Sequence, residues 1–105
     1  MRYSRLVATG DYLPEKVLSN ADLERMVDTS DAWIMKRAGI RKRHLASLEQ
    51  PPSFMAHEAA KLALAKAGWE SADLDMIIVA TASPDKYFPS CACLLHNKMQ
   101  LAADI

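Results

Sequence analysis

Between Lys36 and His44 the chain carries Lys36, Arg37, Arg41, Lys42, Arg43 and His44: five formal positive charges and a histidine in nine residues, with no acid among them. Trp33 lies four residues before Arg37, and on a helix residues at i and i+4 share a face. An indole beside a guanidinium suits a purine nucleotide, because the ring can stack while charge-assisted bonds hold the phosphates. Spacing alone favours a plainer account, a packed tryptophan next to a solvated charge run, since such runs are usually solvated. Nucleic acid is a third option with little behind it: the formal net charge is zero and no nucleic-acid motif is present.

Cys91 and Cys93 follow Pro89 in the first turn of a predicted helix, where the backbone N–H groups lower a thiol pKa. A nucleophile there needs a base, and His96 stands three residues from Cys93 and five from Cys91. Neighbours on one short helix rarely reach an attack geometry with room for substrate, and free cysteine is among the most buried residue types. Both are therefore read as core residues. A C-x-C pair with one histidine falls short of the four ligands of a structural zinc site. His44 and His57 stand on separate elements with no carboxylate at a useful spacing, and packing or surface roles are the default. Three scattered glycines make no phosphate loop. Asp28, Asp31, Asp73 and Asp75 read as turn and cap residues. No catalytic residue and no metal ligand is assigned.

The elements that would position these residues can be read from their punctuation. Arg5 to Ala8 reads as a short strand, broken by Thr9-Gly10 and Leu13-Pro14. Ser19-Asn20-Ala21-Asp22 has capping-box spacing, with Leu18 and Leu23 placed for a hydrophobic staple, so a helix is expected from Asn20 to about Val27. Thr29 or Ser30 can cap a second helix, DAWIMKRA, which Gly39 ends in the left-handed conformation. Ile40 to His44 reads as extended. After Pro51-Pro52, Ser53 opens an alanine-rich helix to Ala67, with Gly68 as its stop. Its polar residues His57, Glu58 and Lys61 share a wedge about 100° wide, which leaves the rest of the surface mostly apolar and wanting cover on more than one side.

Leu74 to Ala82, LDMIIVATA, is near-continuously apolar without alternation, as in a strand buried on both faces. Asp85 to Phe88 reads as a loop, and Pro89 starts a last helix through about Gln100. The order β-α-α-β-α-β-α points to layered α/β. A doubly covered helix and a central strand demand partners that the chain barely supplies, so more polypeptide is expected after Ile105.

Half of the 105 residues are hydrophobic and a quarter charged, the profile of a globular domain or part of one. Thirteen basic residues balance thirteen acidic ones, so any anion site must be local. The apolar run from Met76 to Val79, like every other in the sequence, is far short of a membrane span, and the N-terminus lacks a secretory pattern. Two cysteines two apart cannot staple distant segments, and a reducing cytoplasm is the simplest compartment.

Several stretches taken together resemble the ketoacyl-ACP synthase III family. TGDYLPEKVLSNADLERMVDTSDAWIMKRAGIRKRH holds a Gly-x-Tyr-Leu-Pro turn, Asn-x-Asp-Leu, Thr-Ser-Asp-x-Trp-Ile and Gly-Ile-x-x-Arg, and MIIVATASPDKYFPSCAC resembles the family's second strand and Phe-Pro-Ser helix start. The likeness covers nearly all of residues 6 to 95, and the order and spacing of the motifs are what make it specific.

The resemblance implies an α/β fold of thiolase-like type, a layered αβαβα sandwich of which residues 1–105 form part of the N-terminal half, ending before the catalytic cysteine. It implies an acyltransferase that starts fatty-acid biosynthesis: an acyl group passes from coenzyme A to a cysteine and is condensed with malonyl-ACP, releasing carbon dioxide. The implied cysteine, histidine and asparagine are not among these residues, neither Cys91 nor Cys93 matches the nucleophile, and the chain by itself is expected to be inactive. What carries over is binding. Trp33 matches the tryptophan that stacks on the adenine of coenzyme A, Thr29 a neighbouring adenine contact, and Arg37 the arginine at the nucleotide end. Lys42 and Arg43 are read as structural or solvated, although a basic surface would suit the acidic acyl carrier protein. Phe88 matches a phenylalanine that reaches the acyl pocket of the partner subunit in a homodimer. Acyl-CoA as substrate, the acyl carrier protein, no covalently bound cofactor, no nucleic acid, no membrane and a cytoplasmic location complete the implied set. Three positions depart from the family pattern: Ala38 where threonine is common, His96 where glutamine is common, and Gln100 where glycine commonly ends the helix. A rival of another class is a non-catalytic nucleotide-binding or interaction module using Trp33 and Arg37.

Overall fold

The computed structural model describes residues 1–102, arranged in two compact units. One comprises residues 13–49; the other joins residues 1–12 to the chain from residue 50 onward. Each has its own core.

The 13–49 unit opens with strand β1 (Lys16–Ser19), which runs straight into helix α1 (Asn20–Met26). The capping box forms as its spacing predicts: the Ser19 backbone N–H and hydroxyl donate to Asp22 Oδ2 at 2.9 and 2.7 Å, and the Asp22 N–H donates back to Ser19 Oγ. The Ser19 hydroxyl bond, helped by the Ser19 N–H, holds the Asp22 carboxyl below its usual range. Helix α2 (Asp31–Ala38) follows, and Gly39 ends it at φ 68° with its N–H on the Met35 carbonyl. Strand β2 (Lys42–Leu45) pairs antiparallel with β1, Lys16 opposite Leu45 and Ser19 opposite Lys42. The pair brackets both helices. The sequence offers no alternating apolar pattern for β1, which is why only its partner is anticipated as extended.

In the other unit, helix α3 (Pro52–Ala67) stops at Gly68 with φ 70°, packs on helix α4 (Cys91–Lys98), and is followed by a 3-10 turn at Ser71–Asp73. Cys91, Leu95 and Met99 are buried from the α4 side. Tyr12 and Phe54 meet edge-on, centroids 5.6 Å apart, and Gln50 Nε2 donates to Tyr12 Oη at 2.8 Å. The expected polar wedge of α3 links up, with Lys61 Nζ 2.7 Å from Glu58 Oε1. Gly10 lies hard against α3: a Cβ there would clash with the Ala59 carbonyl and come 2.7 Å from Ala63 N. Close backbone approach, rather than a strand break, is what this glycine serves.

Two expected strands do not form. Residues 5–8 and 74–82 pair with no strand among the described residues, although Ile77 and Val79 are half-buried while Met76 and Ile78 stay 72% and 82% exposed. A ladder needs a neighbour to bond, and the described residues supply cover for one face only. The last helix is also shorter than expected. It starts at Cys91, because Ser90 rather than Pro89 caps it, and Gln100 beyond Met99 takes φ 55°.

Candidate nucleotide site

Helix α2 presents the indole–guanidinium pair that its spacing predicts. Trp33 is 57% exposed, and the Arg37 guanidinium carbon lies 5.7 Å from its ring centroid, within cation–π range. Only Ile34 of this helix is buried, so the face bearing the pair is open to solvent. At the start of α2, Asp28, Thr29, Ser30 and Trp33 line a shallow hollow of about 320 Å³. Of the two candidate caps it is Ser30 whose hydroxyl accepts from the Trp33 N–H, at 3.2 Å, which leaves the half-buried Thr29 side chain on the hollow. Thr29, Trp33 and Arg37 thus belong to one helix start and one helix face. Phe88 belongs to the other unit, 88% exposed on the loop before α4.

The basic run divides in two. Lys36, Arg37, Arg41 and Lys42 are exposed. Arg43 is half-buried and donates from Nη1 to Asn20 Oδ1 at 2.8 Å, while His44 Nδ1 sits 2.6 Å from the Pro14 carbonyl. These two residues are structural, in keeping with the plainer reading of the sequence.

No nucleophile–base pair appears at the cysteines. Burial pushes the Cys91 thiol up, and the Asp85 carboxylate, 3.9 Å away, pushes it further. Cys93 is exposed, not the core residue its type suggests, and accepts from the Ser90 hydroxyl at 3.2 Å, while His96 Nε2 is engaged at 2.8 Å with the Ala102 carbonyl. Among the described residues no group of three or more His, Cys, Asp or Glu side chains could hold a metal ion, and no helix is long and apolar enough to cross a membrane.

Sequence reasoning missed two residues. Asp85 accepts from the Ser53 N–H at 2.9 Å and the Ser53 hydroxyl at 2.6 Å, capping α3 from 32 residues away. Burial pushes its carboxyl up, but the Ser53 bonds outweigh this and the net shift is downward. Asn20, read as the start of a helix and as part of the Asn-x-Asp-Leu motif but given no role of its own, is buried and bonded to three other segments. Nothing in the spacing signals either, because the partners are far apart in the chain.

Solved structures share the fold of this chain. A solved structure of 3-oxoacyl-[acyl-carrier-protein] synthase III from Aquifex aeolicus is 49% identical with a TM-score of 0.81, over 90% of this chain and 30% of that one. The corresponding Pseudomonas aeruginosa structure is 41% identical with a TM-score of 0.79, over 91% and 29%. The fold class so defined is thiolase-like, and these residues hold a partial α/β segment of it.

Beta-ketoacyl-[acyl-carrier-protein] synthase III of Thioalkalivibrio sulfidiphilus is 52% identical over 101 residues, 96% of this chain and 31% of that protein. The enzyme of that name from Xylella fastidiosa is 55% identical over 97 residues, 92% of this chain and 30% of that protein. Along its length the chain is homologous to these enzymes, named beta-ketoacyl-[acyl-carrier-protein] synthase III, and it spans 30–31% of their length. No family model matches it.

Proposed function

We propose that these residues serve an acyl-CoA:malonyl-ACP condensing enzyme that initiates fatty-acid biosynthesis, and that their part in it is to receive coenzyme A. The observation that carries this reading is the exposed Trp33–Arg37 pair on α2. The indole offers a face to adenine, Thr29 borders the same hollow, and the Arg37 guanidinium meets the phosphates. Phe88, on the loop before α4, reaches the acyl pocket of the partner subunit in a cytoplasmic homodimer. The segment equivalent to residues 1–105 is a partial thiolase-like domain that binds. Bond-making falls to a cysteine that is neither Cys91 nor Cys93, which accepts the acyl group from the thioester and passes it to the carbanion left when malonyl-ACP loses carbon dioxide.

The test is Trp33→Ala in a condensing enzyme carrying this segment. Losing a base–aromatic stack raises KM for acetyl-CoA about 5- to 100-fold, with kcat nearly unchanged, because the adenine is held alike in the ground and transition states. An unchanged KM refutes the assignment. The second reading, a non-catalytic nucleotide-binding module, is favoured by the site's lying wholly within the 13–49 unit. Calorimetry of the 105-residue chain with coenzyme A separates the two: tight binding abolished by Trp33→Ala supports the module, whereas weak or absent heat supports the segment of an enzyme.

A further inference from the structure

Helix α2 is held by very little apolar contact, since Ile34 is its one buried residue. Its placement must come from elsewhere. Asn20, the first residue of α1, is 2% exposed, an unusual depth for a side chain of this polarity. Its Nδ2 donates both to Asp31 Oδ1, at the first residue of α2, and to the Ile40 carbonyl, just past the glycine that ends α2, each at 2.8 Å. Its Oδ1 accepts from Arg43 Nη1 of β2 at 2.8 Å, and its backbone N–H donates to the Arg41 carbonyl at 3.2 Å. One carboxamide therefore grips the start and the finish of the same helix and ties both to the strand pair. Glu24 Oε1 of α1 adds a second hold on the start by accepting from the Asp31 N–H at 2.6 Å.

We infer that Asn20 is the positioning residue of the nucleotide site, fixing α2 so that Trp33 and Arg37 stand where adenine and phosphate need them. The inference rests on the reading of that pair given above and adds the residue that aims it. Its chemistry is directional. The two acceptors require two N–H donors on one group, and Arg43 requires an acceptor on the same group, so only a carboxamide satisfies all three. Asn20→Asp keeps the size and reverses one end, setting a carboxylate against Asp31 and the Ile40 carbonyl. Adding Asp31→Asn then returns an N–H donor between positions 20 and 31.

The experiment uses the 105-residue chain, with adenosine 3′,5′-bisphosphate as the nucleotide probe. Amide hydrogen exchange reads the hold on α2, and the NMR signal of the Trp33 indole N–H reads binding. In Asn20→Asp, exchange across α2 accelerates about tenfold or more while α3 is unchanged, and the probe's Kd rises about fivefold or more, the scale of lost buried hydrogen bonds. The double variant recovers a good part of both, which a merely tolerant position would not do. Unchanged exchange in α2, or a double variant no better than the single one, overturns the inference. Should Asn20→Asp unfold the 13–49 unit, Asp31→Ala cuts only the tie at the helix start; faster exchange in the first turn of α2 supports the inference and its absence overturns it. A wild-type chain whose Trp33 signal ignores the probe counts against the self-sufficient module and leaves the nucleotide reading to the KM of Trp33→Ala in a condensing enzyme, while the exchange pattern and its rescue still decide the role of Asn20.

Discussion

Cys91 and Cys93 stand two residues apart on α4 and meet opposite surroundings. The Cys91 thiol is buried with its pKa pushed up by burial and by Asp85, so little thiolate forms at neutral pH. Cys93 faces outward. Iodoacetamide followed by mass spectrometry is expected to label Cys93 first, with Cys91 reacting only once the chain is denatured; equal rates would contradict this environment. Asp85 governs a different property. Its folded-state pKa lies below the ordinary 3.8, so its bonds to Ser53 stabilise the fold fully above that value and are lost as pH falls through the lowered one. Asp85→Asn places an amide where two donors point. It is expected to cost about 1–3 kcal/mol at neutral pH and to flatten the acid limb of a stability–pH profile, measured by urea unfolding. A variant whose acid limb matches the wild type would clear Asp85 of this role.

At the scale of elements, most helix ends were legible, whereas of the strands only β2 was, read as extended from Ile40 to His44. The capping box at Ser19–Asp22 and the left-handed stops at Gly39 and Gly68 are chemistry between residues three or four apart, so the sequence displays them directly. The stretch at 74–82 has the composition of a strand, yet a strand exists only with a partner, and composition says nothing about whether the partner is at hand. The candidate site follows the same division. Trp33 and Arg37 share a face by local periodicity, whereas the Asn20 and Asp85 ties span 11 to 32 residues and leave no local trace. Gln100 shows a third case. A glycine commonly ends this helix in the family that the sequence resembles, and here a glutamine takes φ 55° in its place. Gln100→Gly should therefore raise stability by up to about 1 kcal/mol, seen as a higher Tm by circular dichroism. A lower Tm would mean that the glutamine side chain contributes more than its backbone costs.

At the scale of the whole molecule, the apolar surface is the leading fact. Tyr3, Leu6, Met76 and Ile78 are each more than 70% exposed, and the segments that bear them have the composition of sheet interior. Exposed apolar area of this kind marks surface built to be covered, and an extended segment with open backbone groups recruits other strands. The 105-residue chain is expected to bind the dye ANS and to sediment faster as its concentration rises. Ile78→Lys should reduce both effects, whereas a concentration-independent monomer would show that these faces are content in water. The same surface fits a segment that supplies about 31% of the length of its relatives.

The hydrogen bond from Gln50 to Tyr12 has a consequence for how such a chain can vary. The polypeptide departs from one unit after Tyr12 and returns to it at Gln50, so everything between passes in and out through a single doorway. Closure entropy grows only slowly with the length of such an excursion, which lets its contents be rewritten or exchanged at small thermodynamic penalty. The 13–49 unit, with the nucleotide site proposed for it, is in this sense a cassette, and its sequence is free to drift without rethreading the rest of the chain.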